Sequence, residues 1–148
     1  MQHEWTFAVV DGYATGEVDF ARRLAESDQS VRDEVDEKIM SPLVNGTDGA
    51  VLVIQGHADR IDSGESHAVA LEQESDISKA RANSAFDEIL AMIRRDWLDP
   101  GPASWEELPH IAVVVSPHGA SMRVDESGTE AGRLRNRRVY LAVCRFIP

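Results

Sequence analysis

The sequence predicts an α+β fold with the order β-α-β-α-β-β, in which two long helices pack on one face of a single mixed sheet. Four short runs rich in β-branched and aromatic residues, bounded by turn residues, predict the strands. Two longer stretches carry apolar residues at helical spacing. Because helices connect the first three strands, part of the sheet must be parallel. The 148 residues are predicted to form one domain, residues 1–148.

The first half of the chain supplies two strands and one helix. "EWTFAVVDG" predicts the first strand, ended by Asp-Gly. A helix is predicted from Val18 to about Met40, closed by "SPLVNGTDG", with an apolar face of Phe20, Leu24, Val31, Val35 and Ile39. "AVLVIQ" is a continuous apolar run, which predicts a central strand covered on both faces.

The second half begins with a polar connection over residues 60–75, "RIDSGESHAVALEQES". Ser75 or Asp76 can cap the second helix, which is predicted to end near Trp97. Its apolar face consists of Ile77, Phe86, Ile89, Leu90, Ile93 and Trp97. "HIAVVV" predicts the third strand and "RRVYLAVCRF" the fourth. The segment between them is predicted to be mostly loop, with a short helix near Glu130.

Charge and cysteine content exclude several classes of function. The net charge of −11 argues against nonspecific nucleic-acid binding, which needs a surplus of Lys and Arg. The single cysteine, Cys144, lies in an apolar run and is interpreted as a core residue. No stretch is long and apolar enough to span a membrane. The N-terminus lacks the basic and then apolar pattern of a signal peptide.

Polar residues collect where the second strand ends, in "VLVIQGHADR". Asp59 follows this strand, and Arg81 lies early in the second helix. "GRLRNRRV" contributes Asn136 and four arginines, Arg133, Arg135, Arg137 and Arg138. A carboxylate that holds an ammonium group, together with guanidinium groups that hold a carboxylate, suits a zwitterionic ligand.

Four motifs in order, "IQGHAD", "ISKARANSAFDEIL", "VVVSPHGAS" and "GRLRNRRVYL", resemble the OmpA-like peptidoglycan-binding domain family. That family includes the peptidoglycan-associated lipoprotein and the C-terminal domain of MotB. The resemblance covers nearly the whole chain. It implies noncatalytic binding of the diaminopimelate-containing peptide stem, with no cofactor and no metal, by a bacterial protein that anchors a parent assembly to the cell wall. It also implies the cell envelope or periplasm, although the missing signal peptide leaves a cytoplasmic location or an excised domain open.

Carried over by position, the resemblance implies that Asp59 and Arg81 grip the diaminopimelate. Asn136 and Arg138 would lie beside that pocket, and Gly56 and His57 would form the turn that leads into it. This chain departs from the family pattern at two positions. Ala58 replaces a threonine, and Glu74, expected in the loop, replaces an asparagine.

Alternative interpretations remain at this point. Asp59 and Arg81 could pair only with each other, and Arg133 and Arg135 are expected to face solvent. His57, Asp59, His67 and His118 match no zinc-binding spacing, so His57 is expected to donate to a backbone carbonyl. No nucleophile with a positioned base is recognisable, which argues against an enzyme. The alternative function is an OmpA-like assembly module that has lost the ligand.

Overall fold

A four-stranded sheet with the order β1-β4-β2-β3 forms the centre of the computed structural model, which describes residues 2–46, 48–61, 64 and 66–147. The strands are β1 (Gln2–Val10), β2 (Ala50–His57), β3 (Ile111–Pro117) and β4 (Arg138–Ile147). β2 and β3 are parallel, whereas β4 runs antiparallel to both β1 and β2. The predicted α+β class and mixed sheet are confirmed.

The predicted first helix is divided into shorter segments. α1 (Phe20–Ala25) and α2 (Gln29–Val35) are separated by residues 26–28, and a π-helical turn (Asp36–Met40) leads into α3 (Ser41–Asn45). The helical path continues past the predicted stop at Pro42. This proline lies in the first turn of α3, directly after the π-helical turn.

The second long helix, α4 (His67–Met92), starts well before the predicted cap at Ser75 or Asp76. Ser66 caps it, since its Oγ accepts a hydrogen bond from the Val69 backbone N–H at 3.3 Å. The first turns of α4 are mostly exposed, so they lack the apolar stripe by which a helix is recognised. A π-helical turn (Ile93–Trp97) ends the helix where the sequence predicts. Residues 62, 63 and 65 of the predicted connection lie outside the described residues.

The hydrophobic core lies between the helices and one face of the sheet. Leu52 and Ile54 of β2 and Leu141 of β4 meet Ile89 and Ile93 there, and all five are fully buried. The opposite face of β2 is only half-buried, so the prediction that β2 is covered on both faces is wrong. The described helices leave that second face open. No helix among the described residues has the length and apolarity needed to cross a membrane.

A short helix, α5 (Glu130–Asn136), precedes β4, as the sequence predicts near Glu130. Thr129 caps it by accepting a hydrogen bond from the Gly132 backbone N–H at 3.1 Å. The last residue of α5 is Asn136, so this helix delivers the asparagine and its neighbouring arginines to the end of β2.

Candidate functional site

The end of β2 lies directly against helix α4 because Gly56 has no side chain. A Cβ added at Gly56 would lie 1.8 Å from the backbone oxygen of Ser78 and 3.1 Å from the Ala82 Cβ. This close approach places the next residue on that helical face, Arg81, beneath the residues that follow the strand. Gly56 therefore shapes the site through packing.

Arg81 is buried at 1% exposure and is directed at backbone carbonyls. Its Nε donates to the Glu17 carbonyl at 2.8 Å, its Nη1 to the His57 carbonyl at 2.9 Å, and its Nη2 to the Ala14 carbonyl at 3.3 Å. The guanidinium also lies 4.8 Å from the ring centroid of Tyr13. Burial lowers the pKa of Arg81 to about 10, which leaves it charged at neutral pH. Arg81 thus ties the loop after β1 to the end of β2.

Asp59 is also buried, but its partners come from α5. Its Oδ1 accepts a hydrogen bond from Asn136 Nδ2 at 2.9 Å, and its Oδ2 lies 3.8 Å from Arg133 Nε. The alternative in which Asp59 and Arg81 pair only with each other is therefore wrong. The expectation that Arg133 faces solvent holds only in part, because its side chain is 34% exposed but its Nε turns towards Asp59. Arg135 does face solvent and pairs with Asp125.

Asn136 holds Asp59 against the loop that follows β3. Its Oδ1 accepts from the backbone N–H groups of Val124 and Asp125, both at 2.9 Å, while its Nδ2 also donates to the Asp125 carbonyl at 2.7 Å. Arg138 performs a similar task, donating to the carbonyls of Asn136 at 3.1 Å and Met122 at 2.8 Å. Both side chains direct their hydrogen bonds to other parts of the protein, as residues that position a site do.

These contacts form the wall of a cleft of about 380 Å³ between the loop after β1, the end of β2, α4 and α5. Among the described residues that line it, four arginines surround one carboxylate, that of Asp59. In a chain with a net charge of −11, this is a locally basic site. The residues that line it are Thr15, Gly16, Ala58, Asp59, Arg60, Ile61, Gln73, Ile77, Arg81, Arg133 and Arg137.

His57 lies behind this cleft, almost fully buried at 1% exposure. Its ring stacks on His118 with centroids 4.9 Å apart, and its Nε2 lies 3.4 Å from Gln55 Oε1. Its Nδ1 has no hydrogen-bond partner among the described residues, so the predicted bond to a backbone carbonyl is wrong. Burial, together with the charge of Arg138 and the neighbouring His118, lowers the pKa of His57 to about 3, so the ring is neutral. Across the described chain, no group of three or more His, Cys, Asp and Glu residues is arranged to hold a metal ion.

Glu74 lies within α4 and is buried, in contrast to the loop position that the sequence suggests. Its Oε1 accepts a hydrogen bond from the Ile61 backbone N–H at 2.8 Å. The side chain borders a second, larger cleft of about 810 Å³, on the other side of Arg60 and Ile61. Glu74 therefore fastens the segment after Asp59 to α4 and is not among the residues that line the basic cleft.

No protein-family model and no curated protein sequence matches the chain. Solved structures do match its fold. The cell wall anchor of the T6SS from Pseudomonas aeruginosa matches 96% of this chain and 82% of its own, with 15% identity and a TM-score of 0.55. The peptidoglycan-associated lipoprotein from Burkholderia pseudomallei matches 93% of this chain and 89% of its own, with 14% identity and a TM-score of 0.52. The OmpA-like domain of FopA1 from Francisella tularensis matches 97% of this chain and 74% of its own, with 13% identity and a TM-score of 0.50.

The chain has the OmpA-like fold. Within it, the six residues expected from the sequence gather around the end of β2. Asp59 and Arg81 line the basic cleft, while Gly56, His57, Asn136 and Arg138 support it from behind.

Sequence analysis named Arg133 and Arg137 only within a cluster of four arginines and did not single them out as the two of that cluster that line the cleft. The two arginines are four residues apart at the end of α5, and a helix places such residues on one face. That spacing was the available signal. Gly16 and Thr15, in the loop after β1, carried no signal, because only folding brings that loop to the cleft.

Proposed function

We propose that this chain binds peptidoglycan without catalysis, through the zwitterionic end of the diaminopimelate residue in the peptide stem, and so anchors a parent assembly to the cell wall. The observation that carries the proposal is the basic cleft, in which the carboxylate of Asp59 lies among four arginines. The OmpA-like fold supports it, since two proteins with this fold are named a cell wall anchor and a peptidoglycan-associated lipoprotein.

The charges of the cleft suit the two ends of that ligand. Asp59 is held in place by Asn136 at 2.9 Å and offers its second oxygen on the Arg133 side of the cleft. A ligand ammonium group would bind there. Arg133 and Arg137 would receive the ligand carboxylate, because guanidinium groups bind carboxylates through paired hydrogen bonds.

Arg81 has a different part in this proposal from the one that the family resemblance implies. All three nitrogens of its guanidinium group already donate to backbone carbonyls, two in the loop after β1 and one at His57. It would contribute its charge and hold the cleft wall in place, while Arg133 of α5 and Arg137, directly after α5, contact the ligand.

The second candidate function is an assembly module that keeps the fold without the ligand. One observation favours it: Asp59 already has both an asparagine and an arginine as partners, so a ligand ammonium group would have to compete with them. The lack of a hydroxyl at Ala58 points in the same direction.

Co-sedimentation with purified sacculi would separate the two functions. We expect the chain to sediment with sacculi whose stems carry diaminopimelate, and to bind sacculi with lysine stems far more weakly, because lysine in the stem lacks the carboxylate that the arginines would hold. Binding to neither kind would support the assembly module. Equal binding to both would contradict recognition of the zwitterion.

Asp59→Asn tests the site itself while preserving side-chain shape. Losing one member of a desolvated charge pair typically costs about 2–5 kcal/mol, so affinity should fall at least roughly 30-fold. The matched control is Asp87→Asn, which removes the same charge from an exposed position farther along α4. Undiminished binding by Asp59→Asn would place the ligand elsewhere.

A further inference from the structure

The face of the sheet that the helices leave open is apolar. Strand register places Phe7 opposite Ala142, and Val53 opposite both Ala142 and Val114, so these four side chains share that face. Over residues 5–9, 51–55, 112–116 and 140–144, all of them described, no side chain on this face is charged. This is unusual for a chain with a net charge of −11, and it indicates a surface that is covered in use.

The open face has relief, with a ridge beside a groove. Trp5 and Phe7 on the edge strand β1 stack with ring centroids 6.3 Å apart, and they are 44% and 48% exposed. Val9 continues this ridge and is also exposed. Beside it, the small side chain of Ala142 forms the floor of a groove of about 330 Å³, bounded on the far side by Val53 and Gln55. The groove has room for an aromatic side chain.

We propose that a second copy of this chain docks on the open face, so that the ridge of each copy lies in the groove of the other. Ridge and groove lie on the same face, which is the arrangement that a two-fold symmetric interface requires. A single surface then supplies both complementary halves.

Charge favours a second copy over a charged partner. Recognition of a charged protein or polymer depends on opposite charges across the interface, and over residues 5–9, 51–55, 112–116 and 140–144 this face carries none. Two acidic chains can meet here without bringing like charges into contact. The net charge elsewhere still opposes association, so added salt should strengthen this dimer by screening that repulsion.

The available area indicates a reversible dimer. Aromatic side chains offer roughly 150–250 Å² each, so the exposed parts of Trp5 and Phe7 present roughly 200 Å². With Val9, Val114 and the half-buried neighbours, each copy would bury on the order of 500–600 Å². The total of about 1,000–1,200 Å² lies at the lower end of specific interfaces. A monomer–dimer equilibrium in the micromolar range is expected.

Sedimentation equilibrium of the full chain, at protein concentrations from a few to several hundred micromolar, tests the proposal. The expected result is a monomer–dimer equilibrium that shifts towards dimer as salt is added. Val9→Glu would place a carboxylate on the ridge and should leave the protein monomeric. The matched control, Val124→Glu, makes the same change at a 62% exposed position outside the sheet and should dimerise like the wild type.

Phe7→Thr gives a second variant that keeps a residue favourable to a strand while it removes the ridge, and circular dichroism would confirm that each variant is folded. It too should be monomeric over the same range. A wild-type chain that stays monomeric throughout would overturn the proposal. So would a dimer that Val9→Glu and Phe7→Thr leave unchanged, or assembly beyond a dimer.

Discussion

Replacing Gly56 by alanine tests how closely helix α4 approaches the end of β2. The added Cβ would lie 1.8 Å from the Ser78 carbonyl oxygen and 2.8 Å from its carbonyl carbon. Carbon–oxygen contacts are normally about 3.3 Å or longer, so the helix would have to retreat by roughly 1.5 Å. Both obstructing atoms belong to the backbone, so no side-chain rotation can relieve the clash.

The cost of this retreat follows from what it breaks. Overpacking a core typically costs about 1–3 kcal/mol, and the rigid obstacle places Gly56→Ala at the upper end of that range or above it. The retreat would also pull Arg81 away from the His57 carbonyl, now 2.9 Å from its Nη1. We expect a loss of about 3 kcal/mol or more in the free energy of unfolding, measured by urea denaturation, together with weaker ligand binding.

Gly128→Ala is the control for this experiment. Gly128 has a φ of +72°, and nothing lies within 4 Å of the position that its Cβ would take. Alanine there suffers only the strain of left-handed backbone, about 1–2 kcal/mol. If Gly56→Ala were no more destabilising than Gly128→Ala, the close packing of α4 on β2 would be refuted.

Two further predictions concern stability. Ile93→Ala should lower the free energy of unfolding by about 2–5 kcal/mol, measured by thermal or urea denaturation, because Ile93 is fully buried. Arg95→Ala, at an exposed position, should lower it by at most about 0.5 kcal/mol. An equal effect of the two substitutions would contradict the orientation of this helix. The pKa of His57 is about 6.5 in the unfolded chain and about 3 in the folded chain. Between these two pH values the unfolded chain binds a proton that the folded chain does not, so the free energy of unfolding decreases as the pH falls from 6.5 towards 3. Urea denaturation should show a loss of about 2 kcal/mol in the free energy of unfolding between pH 7.5 and 5. His57→Phe should remove this pH dependence, whereas His110→Phe, at an exposed position, should not. If the pH dependence of the unfolding free energy were unchanged in His57→Phe, the buried neutral imidazole would be contradicted.

The sequence alone determined the strands, the class of the fold and the neighbourhood of the site. Strand runs such as "AVLVIQ" are local signals, because side-chain alternation and turn residues act over a few positions. The motif "IQGHAD" located the end of β2, and the asparagine and arginines before β4 were assigned to the same region. The early start of α4 at His67 could not be predicted in this way, because its first turns bury too little apolar surface to leave a periodic pattern.

Only the tertiary structure decided which groups meet in the cleft. Arg81 and Asp59 were expected to act as a pair, yet Arg81 serves carbonyl groups from the loop after β1, and Asp59 is held by α5. These partners lie far apart in sequence, and a buried guanidinium or carboxylate takes whatever hydrogen-bonding groups the packed chain brings within about 3 Å. The open apolar face has the same origin. The sequence records that β2 is apolar on both sides, but the placement of the described helices decides which side they cover, since that depends on how the connections between strands cross the sheet.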